Sequence, residues 1–246
     1  MLLMKLYQTK AIISNNVIEF YRYEEPVAYG YRERTRRSSY SRKSEPDKPK
    51  KRRTSNIMRT RNNVRRLVQS NFTKDNSKFV TLTFANNVTD IEEANKEFKK
   101  FIQRLRYKQG KFKYLTVIEF QKRGAVHYHM ICDLPFIKKK DLADVWKQGF
   151  VKINRIKHVD NVGAYVIKYM TKDLNDPRLC GKKAYLTSRG LKKPQVIVGE
   201  EAEELLERLI EKGSTIAYES RYDSEHNGTV NYIEFNLERK DKNQKK

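Results

Sequence analysis

Cysteine is nearly absent. Cys132 and Cys180 are the only two in 246 residues, and they form no Cys-x-x-Cys pair. A disulfide framework and a cysteine zinc finger are therefore both excluded, and a reducing cytoplasm is the expected setting. Long apolar runs are also missing: no stretch reaches the roughly 18 apolar residues of a membrane span. The opening MLLMKLYQTKAIISN lacks an apolar core of signal length followed by a small-residue cleavage site. A soluble protein with no membrane partner is expected. No Gly-x-x-x-x-Gly-Lys-Ser/Thr loop occurs, so the chain brings no P-loop motor. Acids are in short supply as well, with 30 Asp and Glu against 53 Lys and Arg, a net charge of +23. That excess is far beyond what solubility needs and points to a polyanionic partner, nucleic acid first. The 15 Tyr and 11 Phe that accompany it can stack on unpaired bases.

The first 30 residues read as strands, with AIISNNVIEFYRY rich in β-branched and aromatic residues and Asn15-Asn16 placed to turn a hairpin. Residues 32–66 then carry 15 Lys or Arg against three acids, a net +12. The Ser, Pro and charge of RRSSYSRKSEPDKPKKRR read as a linker, and TSNIMRTRNNVRRLVQSNF as a basic helix, solvated or docked on phosphates. From Lys78 the elements alternate: strand KFVTLTF, helix DIEEANKEFKKFIQRLRY, strands KYLTVIEF and GAVHYHMICDL joined by QKRG, helix KKKDLADVWKQ, strand GFVKINRIK and helix NVGAYVIKYMTKDL. This β-α-β-β-α-β order predicts an α+β fold, a ferredoxin-like (RRM-like) antiparallel sheet with a tyrosine-bearing helix and β-rich extensions at both ends. An acidic helix, GEEAEELLERLIEKG, precedes two strands, STIAYES and TVNYIEFNL, set around a hairpin at RYDSEHNG. The expected division is an N-terminal β extension over 1–31, a basic linker and helix over 32–70, a core domain over 71–195 and an accessory helix and hairpin over 196–246.

Histidine is scarce too, yet two of the four, His127 and His129, stand two positions apart in GAVHYHMIC. On a strand, residues at i and i+2 share a face, so both imidazoles aim at one point. Glu119 lies on the preceding strand of the same hairpin, where cross-strand pairing can bring its carboxylate beside them. Two nitrogens and one carboxylate oxygen leave a divalent ion with open positions. Mg2+ or Mn2+ suits such a site when phosphate completes the shell, and Zn2+ is chemically possible.

The helix AYVIKYMTKD holds Tyr-x-x-Lys twice without a gap, Tyr165 with Lys168 and Tyr169 with Lys172. Residues at i and i+4 share a helix face, so the two phenols project together, about 6 Å apart by rise. Two tyrosines at this spacing also suit core packing, but a core-facing stripe would not place two ammonium groups beside them. A phenol with a pKa of about 10 is only about 0.1% ionised at pH 7, which leaves about 4 kcal/mol of activation to be supplied. A neighbouring ammonium and a metal on the scissile phosphate supply it from opposite sides.

Taken in order, FVTLTF, VIEFQKRGAVHYHMI and YVIKYMTK resemble the three motifs of the HUH endonucleases, and in particular the rolling-circle replication initiators of bacterial plasmids and phages. The paired tyrosines are similar to those of initiators of small single-stranded DNA phages. The resemblance covers about 54–195, including LTSRGLKKP. It implies that His127, His129 and Glu119 are metal ligands and that Tyr165 and Tyr169 are nucleophiles, with Lys168 and Lys172 as phosphate clamps. It further implies a 5′-phosphotyrosine intermediate on single-stranded or hairpin origin DNA. Two tyrosines allow a second cut while the first still holds DNA, although either one alone can serve as nucleophile. Conjugative relaxases generally place the tyrosine before the histidine motif, which disfavours them here. A two-tyrosine transposase keeps this order, and a non-catalytic DNA-binding regulator on the same scaffold is the reading of another class. Origin recognition is assigned to the basic segment through Arg52, Arg53, Arg59, Arg61, Arg65 and Arg66, with Arg123 in the hairpin turn. Without a motor, unwinding is expected to need a host helicase and the replication machinery.

Overall fold

The structure is a computed structural model in which residues 5–29, 54–169 and 176–239 are described. The chain divides into two compact units, one made of Met1–Pro49 with Pro194–Lys246, the other of Lys50–Lys193. Both are mixed α+β, and each is built on one five-stranded antiparallel sheet.

The elements, in chain order, are β1 (Lys5–Ser14), β2 (Val17–Tyr29), α1 (Thr54–Asn71), β3 (Lys78–Thr83), α2 (Ile91–Gln109), β4 (Tyr114–Phe120), β5 (Val126–Cys132), α3 (Lys139–Trp146), β6 (Val151–Arg155), α4 (Val162–Ile167), β7 (Tyr185–Thr187), β8 (Gln195–Val198), α5 (Glu200–Glu211), β9 (Ile216–Ser224) and β10 (Gly228–Asn236).

The first unit has strand order β8-β1-β2-β10-β9, so the two ends of the chain, read separately in the sequence, share one sheet. The β1–β2 turn falls at Asn15-Asn16 as expected, with Asn15 at φ 57, a left-handed conformation that asparagine tolerates. Helix α5 buries Ala202, Leu206 and Leu209 against Ala11, Ile18, Phe20 and Phe235. Among its six glutamates, Glu203 turns onto the sheet, accepting a hydrogen bond from Thr9 Oγ1 and pairing with Arg22 at 2.6 Å. The β9–β10 loop is shorter than the expected RYDSEHNG: strand pairing runs to Ser224 and resumes at Gly228, leaving three residues to turn.

The second unit follows the expected path. Strands β3, β4, β5 and β6 assemble in the order β6-β3-β5-β4, the ferredoxin-like split arrangement, and β7 adds a fifth strand at the β4 edge. Helices α2 and α3 cover one face, where Phe98, Phe101, Leu105 and Trp146 meet Leu82, Ile118, Tyr128 and Met130. Asp90 caps α2, its carboxylate accepting from the backbone N–H of Glu92 (2.7 Å) and Glu93 (2.8 Å), and Gly110 ends it. Helices α1 and α4 cover the other face, where Val64, Val68, Phe72 and Val166 meet Phe79, Leu115, Val117 and Ile131. Period-two alternation assigns these faces: Tyr128 and Met130 go to one side, His127 and His129 to the other.

One element departs from expectation. The sequence predicts a tyrosine helix over 161–174, but the described helix is α4, Val162–Ile167. Lys168 caps it, and the Tyr169 N–H returns to Val166 O at 3.2 Å, an i to i+3 closure that tightens the chain out of the α pattern. Tyr165 is thus helical and Tyr169 lies in the turn beyond. Lys172, Arg52 and Arg53 lie outside the described residues.

Candidate metal and tyrosine site

The antiparallel register between β4 and β5 sets Glu119 directly opposite His127, with His129 one same-face step along the strand. Glu119 Oε2 lies 2.5 Å from His129 Nε2 and 3.9 Å from His127 Nδ1. One ligand atom from each of the three residues falls within 4.8 Å of the others, a cluster that can hold a metal ion. Burial drives both imidazoles down to about 4, with the charge of His129 opposing protonation of His127 as well. Both rings are therefore neutral at physiological pH, the state in which imidazole is a ligand.

Strand β3 supplies partners that the sequence reading passed over. Its register places Thr81 opposite His129 and Thr83 opposite His127. Thr81 Oγ1 is 3.2 Å from His129 Nδ1, and Thr83 Oγ1 is 2.9 Å from His127 Nε2. In each case the hydroxyl meets the ring nitrogen turned away from Glu119. A hydroxyl can donate or accept, so it serves whichever tautomer the other nitrogen requires. The signal was present in the sequence: T-L-T has the same two-residue period as H-Y-H, and two antiparallel strands with that period match threonine to histidine.

Phe79, also on β3, floors the site, stacking on the His129 ring at 5.6 Å and touching Tyr165 (5.2 Å) and Tyr169 (4.8 Å). The Tyr169 ring lies 4.4 Å from the His129 ring, and the Tyr169 hydroxyl donates to the Tyr165 hydroxyl at 3.4 Å. The two phenols thus share one site as expected, with ring centres 5.8 Å apart. Burial, the Tyr165 hydroxyl and the Glu119 charge push the Tyr169 phenol up to about 12. The His158 ring stands edge-on to Tyr165 at 6.5 Å.

Two packing details seat α4. Asn161 caps it, its side chain accepting from Ala164 N at 2.8 Å, and the buried Gln69 of α1 accepts from Gly163 N at 3.0 Å. A Cβ on Gly163 would stand 2.4 Å from Arg65 O, so only glycine lets α4 approach α1 this closely.

The cationic residues are more dispersed. Lys168 is exposed at the end of α4. Arg59, Arg61, Arg65 and Arg66 lie along α1, with Arg59 exposed and the others half-buried. Arg123, in the β4–β5 turn, donates through its guanidinium to the carbonyls of Phe84, Ala85 (3.0 Å) and Asn86 (3.5 Å), which ties the hairpin turn to the end of β3.

A phenol pair beside a carboxylate and two neutral imidazoles, on one face of a ferredoxin-like sheet, is the kind of site that cuts or rejoins phosphodiesters. Residues 77–174 match a family model of replication-associated proteins, the ORF2 type, a span that contains the metal cluster and both tyrosines. The chain is also similar to the phasyl DNA replicon protein arp of Escherichia coli, 27% identical over 127 aligned positions, covering 40% of this chain and 44% of that protein. The chain thus spans less than half the length of that curated relative. No solved structure matches. Both matches support a role in the initiation of replication. Among the described residues, no helix is long and apolar enough to cross a membrane.

Proposed function

We propose that this protein is a metal-dependent, site-specific endonuclease and strand transferase acting on single-stranded origin DNA, and that it initiates rolling-circle replication of a plasmid or phage through a 5′-phosphotyrosine intermediate. The observation that carries this reading is the convergence of Glu119, His127 and His129 with the Tyr169 ring, 4.4 Å from His129, on one sheet face.

In this reading a tyrosine oxygen attacks the scissile phosphorus in line. A P–O bond forms to the phenol as the P–O3′ bond breaks; the phenol gives up its proton and the departing 3′ oxygen gains one. The product is a protein-linked 5′ phosphate and a free 3′ hydroxyl, and the reverse step rejoins the strand. A divalent ion, Mg2+ or Mn2+, held by Glu119, His127 and His129 supplies positive charge that polarises the phosphodiester and offsets the carboxylate facing the phenol. Tyr169 is the nearer nucleophile, and Tyr165, whose hydroxyl it contacts, is placed to take a second turn. Lys168 and Lys172 are assigned to clamp the phosphate, and the arginines of α1 with Arg52, Arg53 and Arg123 to bind flanking DNA. The unit Lys50–Lys193 carries the whole of this machinery in a cytoplasmic protein, and strand separation is left to a host helicase.

The test is to incubate the protein with Mn2+ and 5′- or 3′-labelled single-stranded DNA from its own replicon, then denature. The expected result is label retained on the protein from the 5′ phosphate side, lost with chelator and lost in the Tyr165→Phe, Tyr169→Phe double variant. Tight origin binding with no adduct and no cleavage would instead make the protein a regulator.

A further inference from the structure

The β7 edge of the second unit is not flat. Two adjoining hollows, of about 680 and about 980 Å3, run along it and share Lys99, Tyr114 and Thr187. The first reaches from Asn56 and Thr60 of α1, on the face that carries the metal cluster, around β7 to Phe98 and Lys99 of α2 on the opposite face. The second continues past Phe112 to the segment after β7. Together they form one groove that wraps the sheet edge.

The lining is strongly one-sided in charge. Lys99, Arg106, Lys111, Lys113, Lys183 and Arg189 contribute cations. Lys182 joins them, 3.5 Å from Glu92. The one acid among the described lining residues is Asp133, whose carboxylate accepts the Lys113 backbone N–H at 2.6 Å. Aromatic rings are set between the cations. The Arg106 guanidinium lies 5.8 Å from the Tyr114 ring and 5.9 Å from the Phe112 ring, and Tyr185 lies on the α1 side. None of these residues belongs to the basic segment that the charge count singled out. They are scattered over 99–189 in the sequence and are brought together only by the sheet edge.

We propose that this groove binds single-stranded DNA, holding about three or more phosphates of the strand that leads away from the metal and tyrosine site. A row of cations flanking recessed rings matches a strand whose backbone is charged and whose base faces are open for stacking, whereas a duplex hides those faces. The choice of DNA over another polyanion rests on the nuclease reading; the groove itself does not.

The test uses the full chain and a fluorescent 30-mer of deoxythymidine. Lys111, Lys183 and Arg189 line the groove and stand away from the metal and tyrosine residues. In the triple variant Lys111→Glu, Lys183→Glu, Arg189→Glu, affinity is expected to fall on the order of 10- to 100-fold. The slope of log affinity against log salt is expected to flatten by about 2, roughly 0.7 for each single-strand phosphate lost. A second triple variant, Lys111→Gln, Lys183→Gln, Arg189→Gln, should show the same effects in smaller measure with its thermal midpoint unchanged. A control set with the same change in net charge, Lys140→Glu, Lys152→Glu, Lys157→Glu, lies on exposed positions outside the groove and should bind nearly as wild type. Unchanged affinity and slope in the groove variants, an equal loss in the control, or a loss confined to duplex DNA would each overturn the proposal. The adduct assay on wild type separates the two readings. No adduct from wild type, with binding lost in the groove variants, keeps the groove and removes the nuclease. An adduct from wild type, with groove variants binding normally, does the reverse.

Discussion

Thr81 and Thr83 present the far nitrogens of two neutral imidazoles with groups that accept a proton once the near nitrogens bind a metal. Replacing each with valine keeps the shape and removes the acceptor, and Mn2+ affinity measured by calorimetry is expected to drop about 10- to 100-fold while the fold persists. The same imidazoles set a pH dependence. Their folded values of about 4 lie below the free value of about 6.5, so the unfolded chain binds more protons between these limits. In chelator, the stability they contribute is complete above about pH 6.5 and is lost as the pH falls toward about 4. The thermal midpoint should decline over that window, and the His127→Gln, His129→Gln variant should flatten the decline; an identical decline in that variant would show that other groups cause it. The two cysteines separate as well. Burial pushes the Cys132 thiol up to about 12, while Cys180 is half-buried, so maleimide should label Cys180 in the native protein and reach Cys132 only on unfolding. At this scale the sequence was informative about the residues that bind and less so about those that support them. H-Y-H and Glu119 stood out because histidine is rare and the hairpin spacing is short. Thr81 and Thr83 did not, because threonine is an ordinary strand residue until the partner strand is known.

At the scale of elements, the approach of α4 to α1 decides where the tyrosines stand. Gly163→Ala would press a methyl group into Arg65 O, and the helix must move away or strain. A loss of about 1–3 kcal/mol in urea denaturation is expected, together with a fall in adduct yield larger than the stability loss explains. Gln69→Leu should show the milder form, since it leaves the Gly163 N–H without its acceptor. Strands β1 to β6 and helices α2, α3 and α5 were legible from alternation and apolar stripes. Strand β7 was not: three residues at a sheet edge carry too little periodicity to register, yet this short strand forms the wall of the cationic groove. The end of α4 was misread for the converse reason. Tyr165 and Tyr169 fit a helical spacing that the backbone abandons after Ile167, and the phenols meet through a turn.

For the whole molecule, charge and topology were unequally visible. The net +23 announced a polyanionic partner before any element was placed, but no composition window showed that residues 5–29 belong with 195–236. That pairing depends on register between strands some two hundred residues apart, such as Val17 with Asn236. Deleting residues 1–29 removes two of the three inner strands of the first sheet. The C-terminal segment should then become sensitive to limited proteolysis, while Lys50–Lys193 keeps its protection and its adduct activity.

The same pairing sets an order in time. As the chain leaves the ribosome, the β1–β2 hairpin emerges first and finds neither β8 nor β10 to flank it. Every residue of the Lys50–Lys193 unit is synthesised during that interval, and its sheet can close without waiting for anything downstream. The tyrosine site can therefore be assembled on a nascent chain whose other sheet is still unfinished, and only the last strand to be translated completes what the first began.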